Sequence, residues 1–133
     1  MAAKKKVLII DDDPAICESL QAILSANGYL TAYALSGKDG LASFRATKPD
    51  IVLCDMMMED IDAGVNVTKV MKEERPAVPI FLLSTIGDTT ADTMGIFSLG
   101  FSGVFQKPVN FDQLLASLAK HSKVPKKARG RKP

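Results

Sequence analysis

Short runs of apolar residues alternate with longer amphipathic stretches along most of the chain. Lys6-Val-Leu-Ile-Ile10 is four apolar residues in succession and predicts a strand buried on both faces. Similar runs predict further strands over Leu30–Leu35, Asp50–Cys54, Pro79–Ser84 and Gly103–Gln106. Runs without polar interruption, in place of strict alternation, predict a parallel sheet covered on both sides.

The intervening stretches have helical spacing and helical punctuation. Asp13-Pro14 supplies an N-cap followed by proline at the first helical position. Ile16, Leu20, Ile23 and Leu24 then share one face, and Gly28 stands where a helix end favours a left-handed residue. A second helix is expected from Ser36 or Gly37 to before Pro49, and a third over Gly64–Arg75, stopped by Pro76. Asp88 is expected to cap a fourth ending at Gly100, and Asn110 a fifth with an apolar stripe of Phe111, Leu114, Leu115 and Leu118. Five βα units joined by right-handed crossovers make an α/β, doubly wound parallel sheet, expected in the flavodoxin-like strand order 2-1-3-4-5.

With 133 residues, one domain is expected over residues 1–122, followed by a tail over 123–133. The tail carries six Lys or Arg and no acid, so the net charge of +2 leaves −4 for residues 1–122. It is expected to be disordered, since apolar periodicity stops there. The apolar run after the basic N-terminus is too short for a signal-peptide core or a membrane span, which predicts a cytoplasmic protein. Cys17 and Cys54 have no framework or metal spacing and read as small buried hydrophobes in a reducing compartment.

Ligands of open α/β sheets bind beyond the carboxyl ends of the strands. Here those ends carry Asp11-Asp12-Asp13, Asp55, Ser84-Thr85 and Gln106-Lys107-Pro108. Crowded carboxylates repel one another unless a cation joins them. Oxygen ligands suit a hard divalent ion, and Mg²⁺ in particular, because it keeps several waters and bridges to phosphate. Lys107 would direct a fixed positive charge at a transferring phosphoryl group, and Ser84 would donate a hydrogen bond to its oxygens. A carboxylate nucleophile would then form an acyl phosphate.

Strand–Asp-Asp, strand–Asp, strand–Ser-Thr and strand–Lys-Pro, in that order, resemble the receiver domains of two-component response regulators over residues 5 to about 121. The resemblance implies that Asp55 is the phosphoacceptor and that Mg²⁺ is held by Asp12 directly, Asp11 through water, Asp55, and the backbone carbonyl of Met57. It implies that Ser84 and the Thr85 amide face the phosphoryl group, and that a cis peptide before Pro108 aims Lys107 inward. Asp13 is better explained as the helix cap. The implied partners are a sensor histidine kinase or phosphotransfer protein as donor, and a downstream protein on the face of the fourth helix, fifth strand and last helix. A phosphorylation-dependent homodimer is a further form of output. Such a module is a phosphoacceptor and not an enzyme in the turnover sense.

Three departures matter. The loop Met58-Glu59-Asp60-Ile61-Asp62-Ala63-Gly64 lacks the proline usual in the family and is one residue longer. Val104 stands where many receivers carry a switch Tyr or Phe, and Phe105 should point to the opposite face. Met57 and Ile86 replace polar residues that orient the hydrolytic water in other receivers.

Simpler readings compete at several positions. Aspartates after a strand are commonly caps, and only their convergence with Asp55 and Lys107 favours chemistry. Met56–Met58 lack a thiolate–histidine set for a soft metal. His121 sits near a helix end, where its charge is favourable, and an external phosphodonor is expected instead. Arg129-Gly-Arg-Lys-Pro133 resembles a minor-groove AT-hook core interrupted by Lys132, but a solvated tail is the simpler account and DNA contact is disfavoured.

A haloacid-dehalogenase-like phosphatase would use Asp11-Asp12-Asp13 as its Asp-x-Asp motif, but Gly87-Asp88-Thr-Thr-Ala-Asp92 precedes Lys107 where that family's motif follows its lysine. A degenerate receiver that only binds a partner is the other rival. Because only a short basic segment follows the last predicted helix, output is expected through protein–protein contact.

Neither Met57 nor Ile86 can hydrogen-bond a water through its side chain. The phosphorylated protein should therefore keep its phosphoryl group well beyond seconds, as followed by intact mass after the donor is removed.

Overall fold

The computed structural model describes residues 5–55, 63–85 and 102–122. Five strands form one parallel sheet: β1 (Lys6–Ile10), β2 (Leu30–Ala34), β3 (Ile51–Asp55), β4 (Ile80–Thr85) and β5 (Gly103–Lys107). Their order is β2-β1-β3-β4-β5. Four helices are described: α1 (Pro14–Ala26), α2 (Gly37–Thr47), α3 (Ala63–Glu74) and α4 (Phe111–Ser122). The expected helix over Asp88–Gly100 and the tail over 123–133 lie outside the described residues.

The pleat sorts the core into two layers. Val7, Ile9, Ile51, Leu53, Phe81 and Leu83 pack with Cys17, Leu20 and Leu24 of α1 and Leu114 and Leu118 of α4. The alternate residues, Leu8, Ile10, Val52, Cys54, Ile80 and Leu82, pack with Phe44 of α2 and Met71 of α3. β1, β3 and β4 are apolar at nearly every position because both of their faces are covered. β2 and β5 lie at the edges and are only half-buried, so Leu30 is exposed despite its apolar run.

The predicted punctuation operates as chemistry. The Asp13 carboxylate accepts from the Ala15 N–H at 2.9 Å, with Pro14 opening α1. Gly28 adopts φ +92° in the turn into β2. Ser36 Oγ accepts from the Asp39 N–H, and Asn110 Oδ1 from the Gln113 N–H. Asp50 falls outside β3 and instead accepts the Lys6 N–H, joining the start of β1 to the loop before β3. Leu35 lies past the end of β2 and is exposed. Phe111 does not join the buried stripe: it opens α4, one turn short of the core that Leu114 and Leu118 enter, and it is 37% exposed.

Gly40 marks the closest approach of α2 to the sheet. A Cβ there would lie 2.7–2.9 Å from three carbons of the Ile10 side chain, which is itself fully buried. Alanine is the better helix former by about 1 kcal/mol, but overpacking against Ile10 should cost more, roughly 1–3 kcal/mol. Gly40→Ala should therefore be net destabilising, seen as a lower urea midpoint at unchanged slope.

Candidate functional site

β1 and β3 pair in parallel, with Ile10 opposite Cys54. One further step in that register sets Asp11 beside Asp55 at the carboxyl edge. Thr85 and Lys107 pair at the same edge, and Ser84 pairs with Gln106. Asp11, Asp55 and Lys107 continue the pleat of Ile9, Leu53 and Phe105, so all three leave the sheet toward the layer that α1 and α4 cover. Ser84, one residue before the end of β4, is buried at this edge.

Lys107 Nζ stands 2.8 Å from Asp11 Oδ2 and 3.4 Å from Asp55 Oδ1. A cis peptide joins Lys107 to Pro108, as the resemblance implied. The carboxylates of Asp11, Asp12 and Asp55 offer oxygens within 4.8 Å of one another. Asp11 and Asp55 are buried, whereas Asp12 is exposed. Burial by itself penalises the Lys107 ammonium, but the hydrogen bond and charge of Asp11 and the charge of Asp55 outweigh it and hold its pKa above the ordinary lysine value.

Asp11 is held from several sides. Its N–H donates to the Ala34 carbonyl at 3.1 Å, and its Oδ1 accepts from the Asp13 N–H at 3.0 Å. The Cys17 thiol donates to its backbone carbonyl at 3.4 Å. Oδ2 is fully buried, with the Lys107 ammonium against it at 2.8 Å. A carboxylate oxygen has more than one lone pair, so an oxygen that meets a single ammonium beside two further carboxylates still suits a hard, oxygen-seeking cation, and the residues present fit Mg²⁺. They also match the acidic set that sequence analysis assembled.

Asp13 caps α1, its side chain accepting from the Ala15 N–H, as the simpler reading has it. Thr85 ends β4 beside Lys107. Met57 and Ile86 lie outside the described residues. Val104 packs against the α2–α3 layer, and Phe105 packs on the other side of the sheet with its ring centroid 5.3 Å from that of Phe81. The two therefore face opposite ways, as the strand period requires.

Two features were not legible beforehand. Cys17 is more than a core residue: burial first, and the Asp11 carboxylate second, push its thiol up to about 12, and it also reaches the site's backbone. A groove of about 540 Å³ opens between α1 and the segment after β5, lined by Ala15, Ile16, Ser19 and Leu20 with Pro108, Val109 and Phe111. Its only sequence signal is a stripe at i, i+1, i+4 and i+5 on α1, which core packing explains equally well.

The chain matches the response regulator receiver domain family over residues 7–119 and belongs to that family. Among particular proteins, it is 36% identical over 119 residues to the transcriptional regulatory protein ZraR of Salmonella typhimurium, covering 88% of this chain and 26% of ZraR. It is 32% identical over 113 residues to the DNA-binding response regulator MtrA of Mycolicibacterium smegmatis, covering 85% of this chain and 48% of MtrA. The chain thus spans less than half the length of either relative. Among solved structures, the Francisella response regulator 1452 receiver domain superposes with a TM-score of 0.78 at 26% identity, covering 88% of this chain and 95% of that one. A CheY-like receiver domain protein from Methanospirillum hungatei JF-1 gives 0.78 at 27%, covering 89% and 93%. The fold and the family agree: this is a signalling module of the two-component type. Among the described residues no helix is long and apolar enough to cross a membrane.

Removing the ammonium leaves Asp11 buried without its countercharge. In the absence of divalent cations, Lys107→Met should lower unfolding stability by about 2–4 kcal/mol near neutral pH. Because the folded-state pKa of Lys107 is raised, its contribution is complete below the ordinary lysine value and is lost as pH rises through the folded one. The gap between wild type and variant in chemical denaturation should therefore close only in strongly alkaline solution.

Proposed function

We propose that this domain accepts a phosphoryl group on Asp55, with Mg²⁺ held by the acidic pocket, and that the modified form changes its binding to a partner. The observation that carries this reading is Lys107, partly buried and set between two buried carboxylates at the mouth of the sheet. A structural ion pair needs one acid; a second acid and a third nearby suit a site that receives charge from outside.

In this reading Asp55 is the nucleophile. One of its oxygens forms a bond to phosphorus while the bond to the donor's leaving group breaks and the electron pair departs with that group. The product is an acyl phosphate. Lys107, already within reach of Asp55, offers its ammonium to the incoming phosphoryl oxygens. Ser84 and the Thr85 N–H would donate to the same oxygens from the end of β4. Asp11, Asp12, Asp55 and the Met57 carbonyl would hold Mg²⁺, which when bound neutralises charge on the phosphoryl group and orients it. The chain's own contribution is mainly positioning, because phosphoryl transfer asks for little else.

The donor would be a sensor histidine kinase or a phosphotransfer protein, and the apolar groove beside Lys107 offers such a carrier a seat. Output would pass to a downstream protein, or to a second copy, through the surface around β5 and α4. Residues 123–133 are read as a basic extension of the receiver. Two buried cysteines, Cys17 and Cys54, that form no disulfide fit a reducing, cytoplasmic setting. The phosphatase reading gains no support, because its nucleophile would be Asp11, which is fully buried and engaged by Lys107 and the Asp13 N–H.

Incubation with acetyl phosphate or phosphoramidate and Mg²⁺ should add one phosphoryl mass to the intact protein. The adduct should require Mg²⁺ and be absent from Asp55→Asn. Donor hydrolysis without an adduct, lost in Asp11→Asn and kept in Asp55→Asn, would sink the proposal in favour of a phosphatase; binding of a partner with no adduct from any donor would point to a degenerate receiver.

A further inference from the structure

Asp12 poses a positional problem. It is the exposed member of the acidic cluster, so packing does little to fix its side chain. What directs it is the backbone just before it. The Asp11 carbonyl and the Asp12 N–H belong to one rigid, planar peptide unit that ends at the Asp12 Cα, so whatever fixes that carbonyl also fixes the bond on which the Asp12 side chain is carried. β1 ends at Ile10, so the carbonyl lies past the end of the strand and must be satisfied by another group.

The group that reaches it is the Cys17 thiol, at 3.4 Å. Cys17 lies six residues further along, on the first turns of α1, and is fully buried with Val7, Ile9, Leu20 and Leu53. Its sulfur is thus anchored in the sheet–helix core, and α1 itself is pinned at its start by the Asp13 cap. Independently, Asp11 Oδ2 is fully buried at the same place against the Lys107 ammonium alone among the described residues, which leaves a further lone pair for a ligand.

We propose that Cys17 is a positioning residue of the acidic pocket, its thiol holding the Asp11–Asp12 peptide in the orientation that brings both carboxylates to one cation. The proposal rests on the reading that this pocket binds a divalent ion. The thiol touches neither the ion nor the phosphoryl group. It acts through the backbone, as partners that orient a ligand commonly do. An apolar residue of similar size would fill the same space but leave the carbonyl unpaired, so donor and volume can be separated.

The test is direct cation binding by the full chain, with Mn²⁺ as the probe and free Mn²⁺ counted from its paramagnetic resonance signal. Cys17→Val keeps volume without a donor, Cys17→Ala removes both, and Cys17→Ser keeps a donor. Circular dichroism melting in the absence of metal reports folding separately. Val and Ala should weaken Mn²⁺ binding about 3- to 10-fold, the range of one hydrogen bond, while Ser stays within about 2-fold of wild type. The same order should appear in the Mg²⁺ concentration needed for half-maximal phosphorylation, with the rate at saturating Mg²⁺ little changed. Wild-type affinity in both Val and Ala would overturn the proposal, as would recovery by Val without recovery by Ser, since volume alone would then explain the residue. A variant that melts before the measurement is replaced in the comparison by the remaining pair, of which Val against Ser is decisive. Wild-type protein that binds no Mn²⁺ and takes up no phosphoryl group would instead remove the underlying reading of the pocket.

Discussion

Lys107 Nζ lies 2.8 Å from Asp11 and 3.4 Å from Asp55, in a pocket largely closed to water. Through it the carboxyl ends of β1, β3 and β5 are tied together by charge as well as by the ladder. Three acids within a few ångströms would otherwise push the edge of the sheet apart, and burial raises the cost of each unpaired charge. One ammonium cannot balance three carboxylates. The pocket is left with a surplus of negative charge that a divalent cation would offset.

The rest of the molecule holds that edge still. The apolar faces of β1, β3 and β4 are covered on both sides, so the strands cannot shift register without moving the whole core by one pleat. Gly40 lets α2 settle directly onto Ile10, one residue before Asp11. On the other side, α1 begins immediately after the acidic run and returns the Cys17 thiol to the Asp11 carbonyl. Between α2 and α3, the Arg45–Glu74 ion pair is exposed and adds orientation more than stability. The site therefore sits on strand ends whose positions are over-determined.

Family membership makes the departures informative. Val104 offers the α2–α3 layer a small branched side chain where many receivers present an aromatic ring, and the nearest aromatic in sequence, Phe105, is committed to a ring contact with Phe81 on the other side of the sheet. Any response of the β5 surface to events at Ser84 must travel by backbone or by repacking of aliphatic groups. The parallel register supplies a short route, because Ser84 pairs with Gln106, two residues from Val104.

Much of this protein was legible in its sequence because local physics decided it. Buried parallel strands must be apolar at successive positions, so their number, limits and covered faces could be read to within a residue. Caps such as Asp13, Ser36 and Asn110 act on groups two or three residues away, which is also a local matter. That Asp11, Asp55 and Lys107 share an edge followed from strand ends and from the topology rule for open sheets. Other features depended on groups far apart in the chain. The exposure of Leu30 followed from the edge position of β2, and that of Phe111 from how far α4 overhangs the core; an apolar pattern does not contain either distance. The groove beside Lys107 exists only where α1 faces the segment after β5. The second role of Cys17 arises because helix packing brings a buried sulfur within 3.4 Å of a backbone carbonyl past the end of β1. Composition and spacing select the residues that can do chemistry, but distances between them are set by the packing of elements that meet only when the chain has folded.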